Sequence, residues 1–459
     1  MDATIKKKEN SFSFTEGGIV GPLIRFALPL LAAQILQTAY GAVDLMVVGH
    51  FASSDQVSAV SSGTWVTQLF TVFILGLSMG TTVLLGNHIG AKEPEEAGKT
   101  TGASLVLFGL IGLIVTLLMT TLAGPITGLL KVPAASLSAC KSYIRICGAG
   151  FLCIAAYNLL GAIFRGIGDS KIPFISVAVS CLLNIGGDLF LVAVLHMGAV
   201  GAAIATVLSQ LVSVFISLII IRRRRLPFRL SPSMIRWDRQ TIRQILRLGI
   251  PLAASDTLVN VSFLIITAIV NRLGVTASAA AGVAQRLTGF FMLMPSAFSQ
   301  ALAAFCAQNI GARKPDRARR AMADAMILCF LIELVMFFIV LTQGRALSRL
   351  FTSDPQVISA SADYIRAYSL DCLLTSFMMC LIGYYNGLGK TTFVMLQGLA
   401  GAFLGRIPFA LIMNHFFPGN LFYLGLSTPF SSLIQLILCL IYYLYLRKKE
   451  KKDTAASSR

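Results

Sequence analysis

The sequence has little charge, little histidine and no closely paired cysteine, and each shortage excludes a class of protein. Charged residues make up 13% of its 459 residues, about half the fraction found in soluble domains. The four histidines lie near the ends of apolar segments, so the sequence lacks the histidine base or acidic metal cluster of an intramembrane hydrolase or prenyltransferase. The nine cysteines form no CxxC pair, which favours burial as small apolar side chains over disulfides or metal sites. We expect neither an enzyme nor a bound cofactor.

Apolar residues dominate the chain. They account for 56% of the sequence and occur in blocks long enough to cross a hydrocarbon core, which takes about 20 helical residues. We expect twelve spans, at residues 23–47, 57–86, 101–123, 139–164, 172–195, 199–221, 246–271, 278–307, 322–343, 361–386, 392–414 and 421–446. The predicted fold is therefore an all-α polytopic membrane protein.

Lysine and arginine are concentrated in alternate loops. The basic segments are the amino terminus, the 87–100 loop, the 165–171 turn, the 222–247 linker, the 308–320 loop and the tail from 448 to 452. Because basic loops stay on the cytoplasmic side of a membrane, we expect both termini in the cytoplasm. The net charge of +18 then indicates contact with membrane lipids and not with nucleic acid, since no aromatic-basic surface pattern accompanies it.

The second half of the chain repeats the first. The stretch 25–30 returns 222 residues later as 247–252, and the loop 89–94 returns as 310–315 at a spacing of 221. A near-constant offset indicates duplication with almost no net insertion. With six spans per half, both halves have the same orientation, which predicts parallel repeats. The predicted units are an amino-terminal lobe at 1–221, a basic linker at 222–245, a carboxy-terminal lobe at 246–446 and a cytoplasmic tail at 447–459.

Polar groups inside the spans are the strongest functional signal, because a charge at a helix centre costs about 2.5–3.5 kcal/mol on insertion scales. Asp44 lies in span 1, and Asn184 and Asp188 share one face of span 5. Thr206 in span 6 offers a hydroxyl at a similar depth. Such an oxygen-rich set suits either Na⁺ coordination or a carboxylate pair that shares a proton. A purely local role for Asp44, near the outer surface, is the alternative.

A second set of polar groups lies outside this cluster. The candidates for a substrate site or a second proton site are Gln37, Asp256, Asn260 and Asp371. Arg286 and Arg406 offer a structural explanation instead, since an arginine that pairs with one of these acids would neutralise both charges. We place Glu333 on a peripheral span and give it less weight.

The charged positions do not follow the duplication. At the repeat offset, Asp44 corresponds to Ile266 and Asp188 corresponds to Phe409. The scaffold was therefore duplicated without its acids. We expect the two halves to do different work, one suited to a coupling ion and the other to a substrate.

Several of these features together resemble one transporter family. The chain resembles the bacterial branch of the MATE (multidrug and toxic compound extrusion) family over about residues 21–446. The features that carry the resemblance are the twelve-span duplication, the polar helix ending Ala42-Val43-Asp44, the IGAKEP and IGARKP loops, the turn 165–169, and Asn184 with Asp188.

The resemblance implies a fold and a mechanism. It implies two six-helix lobes around a central cavity that opens alternately to each side, with efflux driven by inward Na⁺ or H⁺. It assigns Asp44, Asn184, Asp188 and Thr206 to a cation site in the amino-terminal lobe. It places Asp371 at a carboxylate position that some members use in the other lobe. The chain departs from members that carry a glutamate later in span 7, because its own acid, Asp256, lies nearer the start.

We therefore expect a secondary antiporter that exports cationic amphipathic drugs or toxic organic compounds in exchange for Na⁺ or H⁺. The expected partners are small organic cations and membrane lipids, and the protein is expected to function as a monomer in the bacterial cytoplasmic membrane. A flippase or exporter of a lipid-linked precursor or metabolite on the same scaffold is the alternative. A flippase would favour a cavity rich in cations, whereas the candidate cavity residues include more acids than bases.

Overall fold

A computed structural model describes residues 14–223 and 226–457 of the chain, and no β-strand occurs among them. The first half contains α1 (Val20–Phe51), α2 (Ser54–Gly90), α3 (Pro94–Thr121), α4 (Ala123–Leu129), α5 (Leu137–Ala149), α6 (Phe151–Ile167), α7 (Lys171–Asp188) and α8 (Gly198–Arg223). The second contains α9 (Arg239–Asn271), α10 (Val275–Phe291), α11 (Leu293–Gly311), α12 (Pro315–Arg349), α13 (Pro355–Gly387), α14 (Thr391–Leu399), α15 (Ile407–Phe416), α16 (Leu421–Gly425) and α17 (Ser427–Ser457).

These helices supply the twelve predicted spans. Eleven segments of the described chain are long and apolar enough to cross a membrane, and α5 with α6 forms the twelfth as a pair bent by 48°. The prediction of a straight span at 139–164 was wrong on this point. The bend falls at Gly150, where a Cβ atom would lie 2.3 Å from a Val207 methyl group of α8. Close packing against α8 therefore sets the break.

Two of the predicted boundaries were also too short. The helix α9 begins at Arg239 and not at 246, because Asp238 caps it and its first two turns are basic. The last helix, α17, continues from the predicted end at 446 to Ser457. Hydropathy locates only the apolar part of such helices, whereas capping and local propensity extend them beyond the membrane core.

The duplication is visible in the packing. Gly166 of α6 packs against Thr82 and Leu85 of α2, at 3.1 Å from its Cβ position. At the offset of 221, Gly387 of α13 packs against Ala303 and Cys306 of α11. The two halves are thus parallel six-span repeats with the same internal contacts.

Two long helices exchange between the lobes. The first turns of α1 pack on the carboxy-terminal lobe, where Phe26 and Leu30 join a core that includes Phe298. The rest of α1 packs on α7. In the same way, Ile242 and Ile245 of α9 join the core of the amino-terminal lobe. Each lobe therefore holds the start of the other lobe's first helix, so movement of one lobe is coupled to the other.

The lobes touch at the end of the bundle where the chain begins and ends. A Cβ atom on Gly90 would lie 1.8 Å from the Gln308 carbonyl oxygen, and one on Gly311 would lie 2.0 Å from the Asn87 carbonyl oxygen. The two contacts are reciprocal under the repeat. The backbones approach here as closely as glycine allows, which closes this end.

The predicted cytoplasmic loops meet at this closed end. Gln308 Nε2 donates to the Gly166 carbonyl oxygen at 2.8 Å, and Asn309 Nδ2 donates to that of Phe14 at 3.1 Å. Arg319 near the start of α12 forms an ion pair with Glu450 near the end of α17. The amino-terminal segment, the basic loops and the last helix therefore lie on one face of the bundle.

Candidate functional site

Two carboxyl groups meet inside the amino-terminal lobe. Asp44 in α1 and Asp188 at the end of α7 are 8% and 0% exposed, and their carboxyl groups lie within hydrogen-bonding reach of each other. Among the described residues, no N–H or O–H donor reaches either oxygen of Asp188 or the Oδ1 atom of Asp44. Two facing acceptors need a proton or a cation between them, because adjacent carboxylates cannot both ionise cheaply.

The other two predicted cation-site residues lie beside this pair. Asn184 is one helical turn before Asp188 and is 1% exposed. Its Nδ2 atom donates to Thr206 Oγ1 of α8 at 3.4 Å, while its Oδ1 atom has no donor in the described part of the chain. The amide is thus oriented with its carbonyl oxygen free. The structure brings together the four residues that the sequence singled out, although their role as a cation site stays a prediction.

Sequence reasoning missed the hydroxyl and thiol groups around Asp44. Tyr40 is an electrostatic neighbour of both acids, and Tyr143 and Cys147 of α5 are neighbours of Asp44. The Tyr143 hydroxyl also lies 3.1 Å from Thr64 Oγ1 of α2. A usable signal was present, because the repeated Tyr-Ile-Arg triplet begins at Tyr143.

The helix that carries Asp188 changes its winding immediately after that residue. A π-helical segment covers Leu189–Val194, and a second one covers Ala400–Arg406 in the equivalent span of the other lobe. Such segments are rare and are frequently found at functional sites. Each one adjoins or contains a buried charged residue, Asp188 in one lobe and Arg406 in the other.

Three of the predicted substrate residues line the gap between the lobes. Ala253 of α9 faces α2, because a Cβ atom on Gly76 would lie 2.5 Å from its backbone nitrogen. Asp256 and Asn260 follow on the same helix face one and two turns later, and both are exposed. The lobes have therefore separated at this level. We call this opening the cleft.

The opposite wall of the cleft is formed by α1. Gln34 Nε2 donates to Ser296 Oγ of α11 at 3.5 Å, which marks the last contact between α1 and the other lobe in this direction. Gln37 lies one turn further on, is exposed, and donates to the Tyr157 hydroxyl at 3.2 Å. Amide and carboxylate groups thus face each other across an opening beyond the closed end.

Asp371 lies in a different place, inside the carboxy-terminal lobe. It is 2% exposed, and Glu333 of α12 is an electrostatic neighbour that is only 1% exposed. The low weight given to Glu333 was misplaced. Its helix is peripheral, since Leu331 and Val335 are exposed, but Glu333 itself points inward toward Cys372. The structure therefore separates Asp371 from the cleft residues Gln37, Asp256 and Asn260.

The two candidate ion-pair arginines have different surroundings. Arg406 is buried, donates from Nη1 to Ser262 Oγ at 2.9 Å, and places its guanidinium carbon 3.9 Å from the centre of the Phe263 ring. Asp371 is an electrostatic neighbour of Arg406, but the described residues include no carboxylate within 4.0 Å of either Arg406 or Arg286. Arg286 is exposed. Arg406 is held mainly by a hydroxyl and an aromatic face.

The chain matches a family model twice. The model described as MatE covers residues 29–190 and, again, residues 251–412. The two matched segments begin 222 residues apart, which agrees with the offset seen in the sequence and in the packing.

Individual relatives match over almost the whole chain. The chain is 25% identical to "Probable multidrug resistance protein YoeA" of Bacillus subtilis over 93% of its own length and 94% of the relative's. It is 26% identical to "Probable multidrug resistance protein NorM" of Thermotoga maritima over 86% of each chain. It superimposes with a TM-score of 0.90, at 21% identity, on a solved "outward-facing conformation of a multidrug resistance MATE family transporter", over 96% of this chain and 98% of the other.

Proposed function

Because the chain belongs to the MatE family of membrane transporters, we propose that it is a secondary antiporter that exports cationic amphipathic compounds in exchange for Na⁺ or H⁺. The relatives whose names describe multidrug resistance or export support this choice of cargo. The single observation that carries the coupling is the buried pair of carboxyl groups, Asp44 and Asp188.

The chemistry of the pair supports a coupling ion. Three carboxyl oxygens of the pair and the Asn184 carbonyl oxygen have no donor among the described residues. An unpartnered buried polar atom costs about 1–3 kcal/mol, and more if it is charged. A proton between the carboxyl groups, or a Na⁺ ion held by these oxygens, removes that cost. The free energy released is available to favour one conformation over another.

The closed and open ends of the bundle support alternating access. The close approaches of Gly90 and Gly311 seal one end, and the exposed Asp256 and Asn260 lie beyond that seal. A transporter needs a second conformation in which the seal opens and the other end closes. The helices that exchange between lobes, α1 and α9, carry Asp44 and Asp256, so both candidate sites lie on elements that would move.

The cleft supports a cationic cargo. Asp256 offers a carboxylate, and Gln37 and Asn260 offer amides, all on exposed faces. The cargo and the coupling ion would occupy different places, because Asp44 and Asp188 are buried inside one lobe. Competition between them then works through conformation, with each ligand favouring a different state.

The proposal also includes the membrane and the orientation. The relatives are bacterial, so the membrane is the bacterial cytoplasmic membrane. The basic loops gather at the closed end together with both termini, and the positive-inside rule places that end in the cytoplasm. The cleft then opens outward, and the protein acts as a monomer.

The test uses purified protein in liposomes that contain a fluorescent organic cation. A Na⁺ gradient and a pH gradient are imposed separately, and cation movement is followed. We expect movement with at least one gradient, and we expect Asp44→Asn to abolish it. Asp363→Asn is the matched control, because it removes the same charge from an exposed site in α13.

Two results would overturn parts of the proposal. If none of several cations moves with either gradient, the assigned cargo is wrong. If Asp44→Asn transports as well as the control, the assigned coupling site is wrong. Size-exclusion chromatography confirms that both variants are folded.

A further inference from the structure

A large cavity lies at the closed end of the bundle, outside the cleft and apart from the carboxyl pair. It has a volume of about 1,020 Å³ and is lined by the start of α9 together with Thr392 of α14. Thr391 Oγ1 donates to the Arg247 carbonyl oxygen at 3.5 Å, which fixes α14 beside α9. The cavity therefore has walls from two helices.

Three guanidinium groups line this cavity at helical spacing. Arg239, Arg243 and Arg247 are four residues apart and follow one stripe of α9. No carboxylate in the described part of the chain lies within 4.0 Å of any of them. Like charges at this spacing repel each other, so the site lacks an anion that would satisfy all three.

The nearest acid does not supply that anion. Asp238 caps α9, accepting from the Thr241 backbone N–H at 3.2 Å and from the Thr241 hydroxyl. The hydrogen bond from the Thr241 side chain lowers the pKa of Asp238. Its carboxylate is therefore committed to the cap.

The cavity continues from the arginines onto an apolar surface. Leu246, Ile250 and Pro251 line it on the membrane side of the stripe, and Ile250 is 46% exposed. Trp237 lines it on the other side and is 55% exposed, as tryptophan often is at a membrane interface. A ligand that fits must have an anionic head and an apolar tail in that order.

We propose that this cavity binds the headgroup of an anionic phospholipid, with the phosphate among Arg239, Arg243 and Arg247 and the acyl chains along Ile250 and Pro251. Basic pockets at the cytoplasmic ends of spanning helices suit such headgroups. Because α9 begins on the amino-terminal lobe and continues into the carboxy-terminal lobe, a bound lipid stabilises the position of a helix that both lobes share. The site is independent of the compound that the protein exports.

The test compares lipid binding by two triple variants with equal charge loss. Native mass spectrometry would measure phosphatidylglycerol retained by Arg239→Gln/Arg243→Gln/Arg247→Gln and by Arg222→Gln/Arg223→Gln/Arg236→Gln, whose arginines are exposed and outside the cavity. About fivefold per arginine predicts a loss of affinity on the order of 100-fold for the cavity variant. We expect less than about a threefold loss for the control, because its charges act only at long range.

Further arms identify the ligand. Phosphatidylethanolamine should bind the wild type at least about tenfold more weakly than phosphatidylglycerol, because it carries no net charge. Inorganic phosphate at millimolar concentration should not displace the lipid, because the tail contacts would be missing. Equal losses in the two triple variants, or displacement by phosphate alone, would overturn the proposal. Single Arg243→Gln keeps the test valid if the triple variant does not fold, and an unchanged affinity in it would also count against the site.

Discussion

The reciprocal glycine contact predicts that one methyl group will open the closed end. In Gly90→Ala the new Cβ atom would lie 1.8 Å from the Gln308 carbonyl oxygen. An ordinary carbon–oxygen contact is about 3.3 Å or longer, so the overlap is roughly 1.5 Å. The atom that it meets is backbone and not the end of a flexible side chain, so α2 and α11 must separate.

The cost of this overlap sets the size of the effect. Overpacking of this kind costs about 1–3 kcal/mol, which corresponds to a shift of about 5- to 150-fold in a two-state equilibrium. The substitution acts on the contact between lobes and not within a lobe. The state that is sealed at this end should lose population by that factor, while each lobe keeps its fold.

Hydrogen–deuterium exchange measures the shift without a reporter group. Amides at the ends of α2 and α11 should exchange about 5- to 150-fold faster in Gly90→Ala than in the wild type, if opening limits their exchange. Gly109→Ala is the matched control, because a Cβ atom there has no neighbour within 4 Å. Unchanged exchange in Gly90→Ala, or the same increase in both variants, would refute the reasoning.

Three further predictions follow from buried contacts. Phe14→Ala should lower the free energy of unfolding by about 3–5 kcal/mol, because the ring is 2% exposed and packs 5.0 Å from the Phe305 ring; a thermal unfolding curve like that of the control Phe190→Ala, which removes an exposed ring, would contradict this. Thr206→Val should weaken the affinity for the coupling ion about tenfold and Thr206→Ser should restore it, because the Asn184 amide donates to the hydroxyl; equal ion titrations for both variants would exclude that role. Arg406→Leu and Asp371→Leu should each destabilise more than their combination predicts by addition, with a coupling of at least about 1 kcal/mol in a double-mutant cycle; additive unfolding energies would show that the two charges do not interact.

Much of this fold is predictable from the sequence for simple physical reasons. Apolar runs must lie in the hydrocarbon core, and their helices must satisfy their own backbone hydrogen bonds. The repeated loops also predict equivalent structures, and Lys92 and Arg313 adopt the same left-handed conformation, with φ angles of 59° and 57°. Only local rules were needed for these features.

The details that sequence reasoning missed depend on packing between distant segments. The bend at Gly150 results from contact with Val207, and the inward direction of Glu333 depends on which face of α12 meets α13. The π-helical segments beside Asp188 and Arg406 have no recognisable signature in apolar periodicity. Such features are set by tertiary contacts, which the sequence of one helix does not contain.

The candidate site was predictable in part. A spacing of four residues places Asn184 and Asp188 on one helix face, and an acid inside a span needs a partner. That logic brought Asp44 and Asp188 forward as a pair. It did not separate Asp371 from the cleft residues, because depth in a span does not determine whether a side chain points into its own lobe or toward the other lobe.

The most direct test of the account measures linkage between the coupling ion and the cargo. The dissociation constant of a fluorescent organic cation would be determined for the purified protein across a series of Na⁺ concentrations and pH values. The account predicts that Na⁺ or H⁺ weakens cargo binding about 5- to 150-fold in the wild type. This dependence should disappear in Asp44→Asn and in Asp188→Asn but persist in Asp363→Asn. A dissociation constant that ignores both ions, or a dependence that survives without either buried carboxylate, would contradict the central claim.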